Sequence, residues 1–385
     1  MERAALFHHL PSGGGIRVAS EMLSAMAHLW DWRVHCPEGS SRPDLGFPDW
    51  LVDYPFAQHA RLTGARRLLA PAALLRRLAA FERVCEQAAE AISRRAGRAL
   101  VHNSMVVAAP PVLRHLTVPS VYFCYEYPRH IYEPGEVRRT ENPLARLLLA
   151  PLRSLERRTD RRSALAADTV VTFSEYMRDM LRSIYGVDAN IVRPGVDSRR
   201  LTPSDDRGDY VLSVGALWPF KGHDLAIGAV AGIPPKRRPA LMVVADRRLP
   251  GHAEELERLA AASGVELRLR VGIGDDLLLE AYRGARAVLC CAAREPYGLV
   301  PLEAMACARP VVAVDQGGFR DNVADGETGL LAPRRPKDIA RRLESVLADS
   351  SLARRLGEAG RDFVTCRRRI DGAAERLAEL LTEAG

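Results

Sequence analysis

The sequence predicts an α/β protein of two doubly wound domains, each a parallel sheet wrapped by crossover helices, facing each other across a cleft. Three observations carry that expectation. Short β-branched runs alternate with helically spaced segments along both halves of the chain. At 385 residues the chain is too long for one ordinary core, and 47% apolar residues are enough for two. Residues 193–209, RPGVDSRRLTPSDDRGD, interrupt the periodicity with proline, glycine and aspartate, as a linker does. The division is therefore 1–192, a linker over 193–209, then 210–365. A C-terminal helix, 366–385, can pack back on the first domain.

Each element follows from local pattern. In the first half, 4–7 (AALF) reads as a buried strand, and the glycine-rich loop 8–17 follows it. Helical spacing over 18–30 leads to a strand at 31–37. Residues 61–98 are helical and rich in Arg, Ala and Leu, while 99–104 and 120–128 are strands running into loops. A basic helical stretch over 143–168 precedes a strand at 169–174, a helix at 175–186 closed by Gly186, and a strand at 189–197 that enters a turn. The second half alternates more regularly. Strands fall at 210–217, 240–245, 265–272, 287–292 and 310–314, with helices at 223–233, 252–264, 277–285 and 299–308. In such sheets ligands sit at the carboxyl ends of the strands.

Composition narrows the function. The formal net charge of +7 allows nucleic acid, an anionic membrane or a phosphorylated substrate as partner. Nearly all of the basic charge is arginine; the lysines are Lys221, Lys236 and Lys337. The seven cysteines are scattered with no C-x-x-C pair, which argues against a zinc site or a disulfide framework and for a reducing, cytoplasmic setting. The N-terminal apolar run is too short for a signal peptide, and no run reaches the roughly 18 apolar residues of a membrane span. The acidic pairs at 205–206 and 275–276 do not make a D-x-D metal site.

The most informative stretch is REPYGLVPLEAMACARPVVA, residues 294–313. Placed between a strand and a helix, Glu295, Pro296, Tyr297 and Gly298 form a loop at a strand's carboxyl end. The amides of Gly298, Leu299 and Val300 then open the helix without intrahelical acceptors, where the dipole favours an anion. Gly298 removes a side chain, so a phosphate can approach the backbone. Glu303, expected in the first helical turn, suits a diol such as ribose. Glu295, before the turn, suits another polyhydroxyl group. Taken singly, Glu303 is also explained by the helix dipole alone.

This stretch resembles the signature of family 4 glycosyltransferases, retaining enzymes of the GT-B fold, whose pattern runs E-P-F-G-L-x-x-x-E-A-M-A-x-G-x-P-V-V-A. Tyr297 stands at its phenylalanine and Ala308 at its second glycine. The segment 317–333 is similar to the pattern that follows, with Asp321 at a glutamate position, and 210–224 and 193–197 resemble two earlier elements. The likeness covers most of 165–335 and is looser before that. It implies that Glu295 contacts donor-sugar hydroxyls, that Glu303 holds the nucleotide ribose, and that the backbone of Gly298, Leu299 and Val300 binds diphosphate. It also implies that Lys221, after the turn at Gly215, neutralises that diphosphate. Ala216 stands where the family has arginine, which leaves Arg294, Arg247 or Arg17 as substitutes.

In the N-terminal half, Gly14 and Gly15 fall where the family has a glycine pair, with Arg17 in reach of the same anion; a mobile loop explains the glycines equally well. VYFCYEYPRHIYEP (121–134) resembles the family segment Y-x-C-H-E-P-P-R. Glu126 and Arg129 match it on the acceptor side, and Tyr125 takes the histidine position near the reacting sugar. A tyrosine can donate a hydrogen bond but shuttles protons poorly at neutral pH. His102, at another strand end, is the alternative imidazole.

The resemblance thus implies a metal-independent hexosyltransferase with an N-terminal acceptor domain and a C-terminal donor domain. No cofactor is expected beyond the nucleotide-sugar substrate, a UDP-sugar first and a GDP-sugar second. The acceptor would be a small molecule, glycan or lipid-linked group of bacterial natural-product or glycan biosynthesis. A sugar-nucleotide epimerase of the same fold is the enzymatic rival, and a basic nucleic-acid-binding protein, for which no motif is found, the non-enzymatic one. The arginine-rich stretches 61–98 and 137–164 raise contact with the inner membrane face, against which solvated amphipathic helices are the favoured reading.

Overall fold

A computed structural model describes residues 1–42, 51–56, 70–133, 143–206 and 208–385. The start of the helix expected over 61–98, the start of the basic stretch 137–164, and Arg207 of the expected linker lie outside the described residues. The chain divides into two compact units. Unit 1 comprises Met1–Phe173, Met177–Val192 and Ala374–Gly385; unit 2 comprises Ser174–Tyr176 and Arg193–Ala373.

Unit 1 contains β1 (Arg3–His9), α1 (Gly14–Ala25), β2 (Asp31–Pro37), β3 (Leu51–Tyr54), α2 (Ala70–Arg95), β4 (Arg98–Ser104), β5 (Ser120–Phe123), α3 (Arg129–Tyr132), α4 (Pro143–Ala164), β6 (Thr169–Thr172), most of α5 (Glu175–Tyr185) and β7 (Asn190–Ile191). The strands form one parallel sheet in the order β3-β2-β1-β4-β5-β6-β7, which reverses at β1. Residues 4–9 of β1 are buried on both faces, as a central parallel strand requires, and the run includes His8 and His9. Helix α1 begins four residues before the expected helical spacing. Gly13, with φ 125°, is its N-cap, so Gly14 and Gly15 open the helix instead of forming a loop. The last helix joins this unit from Ala374 onward, where Arg98 donates to the Leu381 carbonyl at 2.8 Å.

Unit 2 contains β8 (Tyr210–Val214), α6 (His223–Ala231), β9 (Ala240–Ala245), α7 (His252–Ala262), β10 (Leu267–Val271), α8 (Asp275–Gly284), β11 (Val288–Cys290), α9 (Leu299–Ala306), β12 (Val311–Val314), α10 (Phe319–Asn322), β13 (Leu330–Ala332), α11 (Pro336–Ala348), α12 (Ser350–Arg367) and the start of α13 (Ile370–Glu383). Its parallel sheet runs β10-β9-β8-β11-β12-β13 and reverses at β8. The sequence pattern left out β3 and β13, which at 4 and 3 residues are too short for an alternation to show.

Much of the arginine excess is used internally. Arg238 donates to the carbonyls of Ala231, Ile233, Ser263 and Gly264. Arg361 donates to those of Ser198, Leu201 and Ala306, and Arg309 to that of Ser204, so the expected linker is fastened to unit 2 by guanidinium forks. Among the described residues, no helix is long and apolar enough to cross a membrane.

Candidate functional site

In a doubly wound sheet, loops diverge where the strand order reverses, leaving room for a ligand at the carboxyl ends. In unit 2 that point lies between β8 and β11. After β8 the chain turns at Gly215 (φ 153°) and passes through a 3-10 turn, Pro219–Lys221, closed by Gly222 in the left-handed region (φ 73°). A side chain at 222 would collide with the Cys291 carbonyl, and the Ala293 amide donates to the Phe220 carbonyl at 2.8 Å. The two loops are thus stitched together, and they bring Lys221 Nζ to 2.8 Å from Glu295 Oε2. Both side chains keep some solvent contact, 25% and 19% exposed, so the charges are only partly desolvated. Buried His223 steadies the first loop from beneath, bonded to Ser213 Oγ at 3.0 Å and to the Gly215 carbonyl at 3.1 Å. Burial lowers its pKa to about 4, so it stays neutral in that role.

Gly298 (φ 87°) is the N-cap of α9, which leaves the amides of Leu299 and Val300 at the helix start. The packing supplies a reason for this glycine beyond the expected one. A Cβ there would stand 2.6 Å from Phe319, so the missing side chain makes room for α10. Gly317 and Gly318 serve the same contact from the other side, where added Cβ atoms would meet the backbone of Glu295 and Pro296 at 2.5 Å. Glu303 is not in the first helical turn, as expected, but one turn further in. It is the fifth residue of α9 and is buried, and Tyr282 Oη donates to its Oε2 at 2.5 Å.

The possible substitutes for the absent arginine are placed differently. Ala216 is buried in the loop after β8. Arg294 sits beside Glu295 with a left-handed backbone (φ 48°). Arg247 is exposed and 3.3 Å from Asp246, and Arg17 lies in unit 1 on α1.

In unit 1 the reversal point lies between β1 and β4. A Cβ on Gly15 would be 3.2 Å from the Tyr125 ring, so the opening of α1 and the loop after β5 touch. Tyr125 is buried, stacked on Phe173 with centroids 4.7 Å apart, and its Oη lies 2.5 Å from His102 Nδ1. Burial raises the phenol pKa and lowers the imidazole pKa, so both are neutral and share one proton-bearing contact. The hydroxyl is committed to His102, whose Nε2 has no partner among the described residues. Glu126 and Arg129 pair with each other at 2.5 Å. Asn103 holds their turn, donating to the Glu126 carbonyl at 2.6 Å and accepting from the Tyr125 amide at 2.8 Å. The one group of metal-ligand type among the described residues, Glu82, Glu86 and His115, already has Arg114 donating to both oxygens of Glu82.

Comparison with known proteins assigns the second unit. Residues 197–363 match the family model for glycosyl transferases group 1. A D-inositol 3-phosphate glycosyltransferase from Streptomyces bingchenggensis is 33% identical over 244 residues, 57% of this chain and 53% of that protein. The chain spans about half the length of the first curated relatives it matches. A sucrose-phosphate synthase structure from Thermosynechococcus elongatus superposes with TM-score 0.77 at 18% identity, covering 100% of this chain and 99% of that one. Anabaena HepE, solved with UDP and glucose, gives TM-score 0.75 at 18% identity over 99% and 100%. These likenesses establish the GT-B type of fold.

Unit 2 contains residues that sequence reasoning missed. Tyr282, His223 and Asn322 are buried and contact Glu303, the Gly215 turn and the Tyr297–Gly298 carbonyls respectively. Asn322 could have been suspected as a polar residue directly after Asp321 in a matched segment. Tyr282 lies in an ordinary amphipathic helix and gave no signal.

Proposed function

We propose that the protein transfers a sugar from a nucleoside diphosphate donor to an acceptor hydroxyl, with retention of anomeric configuration. One observation carries this reading: the 2.8 Å pair of Lys221 and Glu295 beside the opening of α9. The bond to be cleaved joins the anomeric carbon to a β-phosphate oxygen. A cation for the phosphate and a carboxylate for the sugar must then lie within a few ångströms of each other, and this pair meets that requirement. As the bond breaks, charge develops on the diphosphate, and Lys221 and the amides of Gly298, Leu299 and Val300 stabilise it without a metal ion. Glu295, released from Lys221 by the arriving phosphate, accepts hydrogen bonds from sugar hydroxyls. Glu303, oriented by Tyr282, accepts from the ribose.

Retention is assigned to attack from the leaving-group face, with a β-phosphate oxygen taking the acceptor proton, so no protein carboxylate acts as nucleophile. Glu126, Arg129 and His102 are assigned to the acceptor. Tyr125, with its hydroxyl on His102, shapes the surface at Gly15 and exchanges no proton. HepE, solved with UDP, supports uridine as the first base to test; guanosine is second. The test incubates the protein with UDP- and GDP-sugars, with and without acceptors, in the presence of a chelator. The expected result is acceptor-dependent release of nucleoside diphosphate that survives chelation. Salt-sensitive DNA binding without turnover of any nucleotide sugar contradicts the reading.

A further inference from the structure

We propose that Tyr297 is a positioning residue whose buried hydroxyl fixes the loop that carries Glu295 and opens α9. The inference rests on the function proposed above and concerns how that site is held.

Four consecutive carbonyls of the loop are each bonded. Glu295 O accepts from the Gly318 amide at 2.7 Å, and Pro296 O accepts from Ser174 Oγ at 2.6 Å. Tyr297 O and Gly298 O both accept from Asn322 Nδ2, at 2.8 and 3.3 Å. The main chain is therefore strapped on one side by 318–322 and on the other by Ser174. Tyr297 adds a side-chain strap: it is 4% exposed, and its hydroxyl donates to the Pro194 carbonyl at 2.6 Å. Ser174 and Pro194 both belong to unit 2, although each lies next to a unit 1 segment in sequence.

A second device grips the same two segments. Asp321 Oδ1 accepts from the Glu175 amide at 3.0 Å and from Arg193 at 3.4 Å, while Arg368 donates to Asn322 Oδ1 at 3.2 Å. The loop is thereby tied through Tyr297 to Pro194, the neighbour of Arg193, which Asp321 holds. The pattern the stretch resembles has phenylalanine there, which lacks this hydroxyl. Removing it orphans a buried carbonyl and takes away one of the loop's straps. Small displacements of a positioning element are felt strongly at reacting atoms.

The test compares Tyr297→Phe with Tyr185→Phe. The second variant removes an equally buried hydroxyl, bonded to Asp160 at 2.6 Å in unit 1, and controls for a purely structural loss. Hydrogen exchange is followed in peptides covering 294–300 and 315–323, and KM is measured for donor and acceptor separately. Tyr297→Phe should speed exchange in both peptides and raise the donor KM about tenfold, with the acceptor KM within about twofold. Tyr185→Phe should do neither. If the unaltered protein turns over and Tyr297→Phe leaves donor KM and exchange unchanged, or if Tyr185→Phe matches its effect, the positioning role is overturned. If the unaltered protein turns over no nucleotide sugar, the functional reading falls and this role falls with it.

Discussion

Units 1 and 2 share a topology, yet they treat polar groups at the reversal point of the sheet in opposite ways. Unit 1 buries them. His8, His9 and His102 are shielded from solvent, and Tyr125 is covered by Phe173 and bonded to His102. Unit 2 leaves its Lys221–Glu295 pair partly solvated on two glycine-pinned loops. Burial forces the first set to stay neutral, whereas the second set is partly hydrated and can exchange partners. A charged substrate needs the second arrangement. In the proposed function, the electrostatic work falls to unit 2 and the shape of the surface to unit 1.

The largest expected effect tests that division. Lys221→Ala or Glu295→Ala should lower turnover about 100- to 1,000-fold. Thermal stability should move little, because a partly exposed pair contributes at most about 1 kcal/mol. Tyr125→Phe should stay within about tenfold of the unaltered rate. Steady-state kinetics that rank Tyr125 above Lys221 would reverse the assignment.

The second prediction concerns acid. His8, His35 and His223 have pKa values lowered to about 4, and His9 to about 3, by burial first of all. A depressed pKa means the folded state resists protonation. The stability is therefore present above pH 6.5 and lost as pH falls through about 4, or about 3 for His9, by about 3 kcal/mol for each of the first three and about 5 kcal/mol for His9 at full effect. Asp160 works in the opposite direction. Burial raises its pKa to about 6, so its contribution is present below 3.8 and lost as pH rises through 6. With three of the four histidines in unit 1, urea midpoints between pH 7 and 4 should fall, and unit 1 should unfold first. A flat profile, or unit 2 unfolding first, breaks the contrast.

Two smaller effects sharpen it within unit 2. Glu303→Gln should raise the donor KM about tenfold, read from initial rates, since a neutral amide is a weaker acceptor for a ribose hydroxyl. Ala308, which closes α9 with φ 53°, carries the cost of a left-handed alanine. Ala308→Gly should stabilise the protein by about 1 kcal/mol in denaturant titrations without altering KM.

Unit 2 was legible in the sequence because its loops are short and their glycines are forced. Gly222, Gly298 and Gly317 combine positive φ with contacts that no side chain survives, so the surrounding pattern is recognisable as written. Lys221 and Glu295 followed from that frame. The depth of Glu303 did not, because a one-turn shift along α9 depends on where Gly298 caps the helix. Nor did the straps on the loop: Ser174 and Pro194 lie 122 and 103 residues from their partners, beyond any local pattern. Unit 1 was less legible for a different reason. His8 and His9 continue an apolar strand into the core, so a loop was expected where the strand persists.

The central claim is that Lys221 and the start of α9 hold a nucleoside diphosphate. Calorimetric titration of UDP and GDP into the unaltered protein and Lys221→Ala tests it most directly. The account predicts that one nucleotide binds and that its Kd rises at least about tenfold in the variant. Equal binding by both proteins, or no binding of either nucleotide, would contradict it.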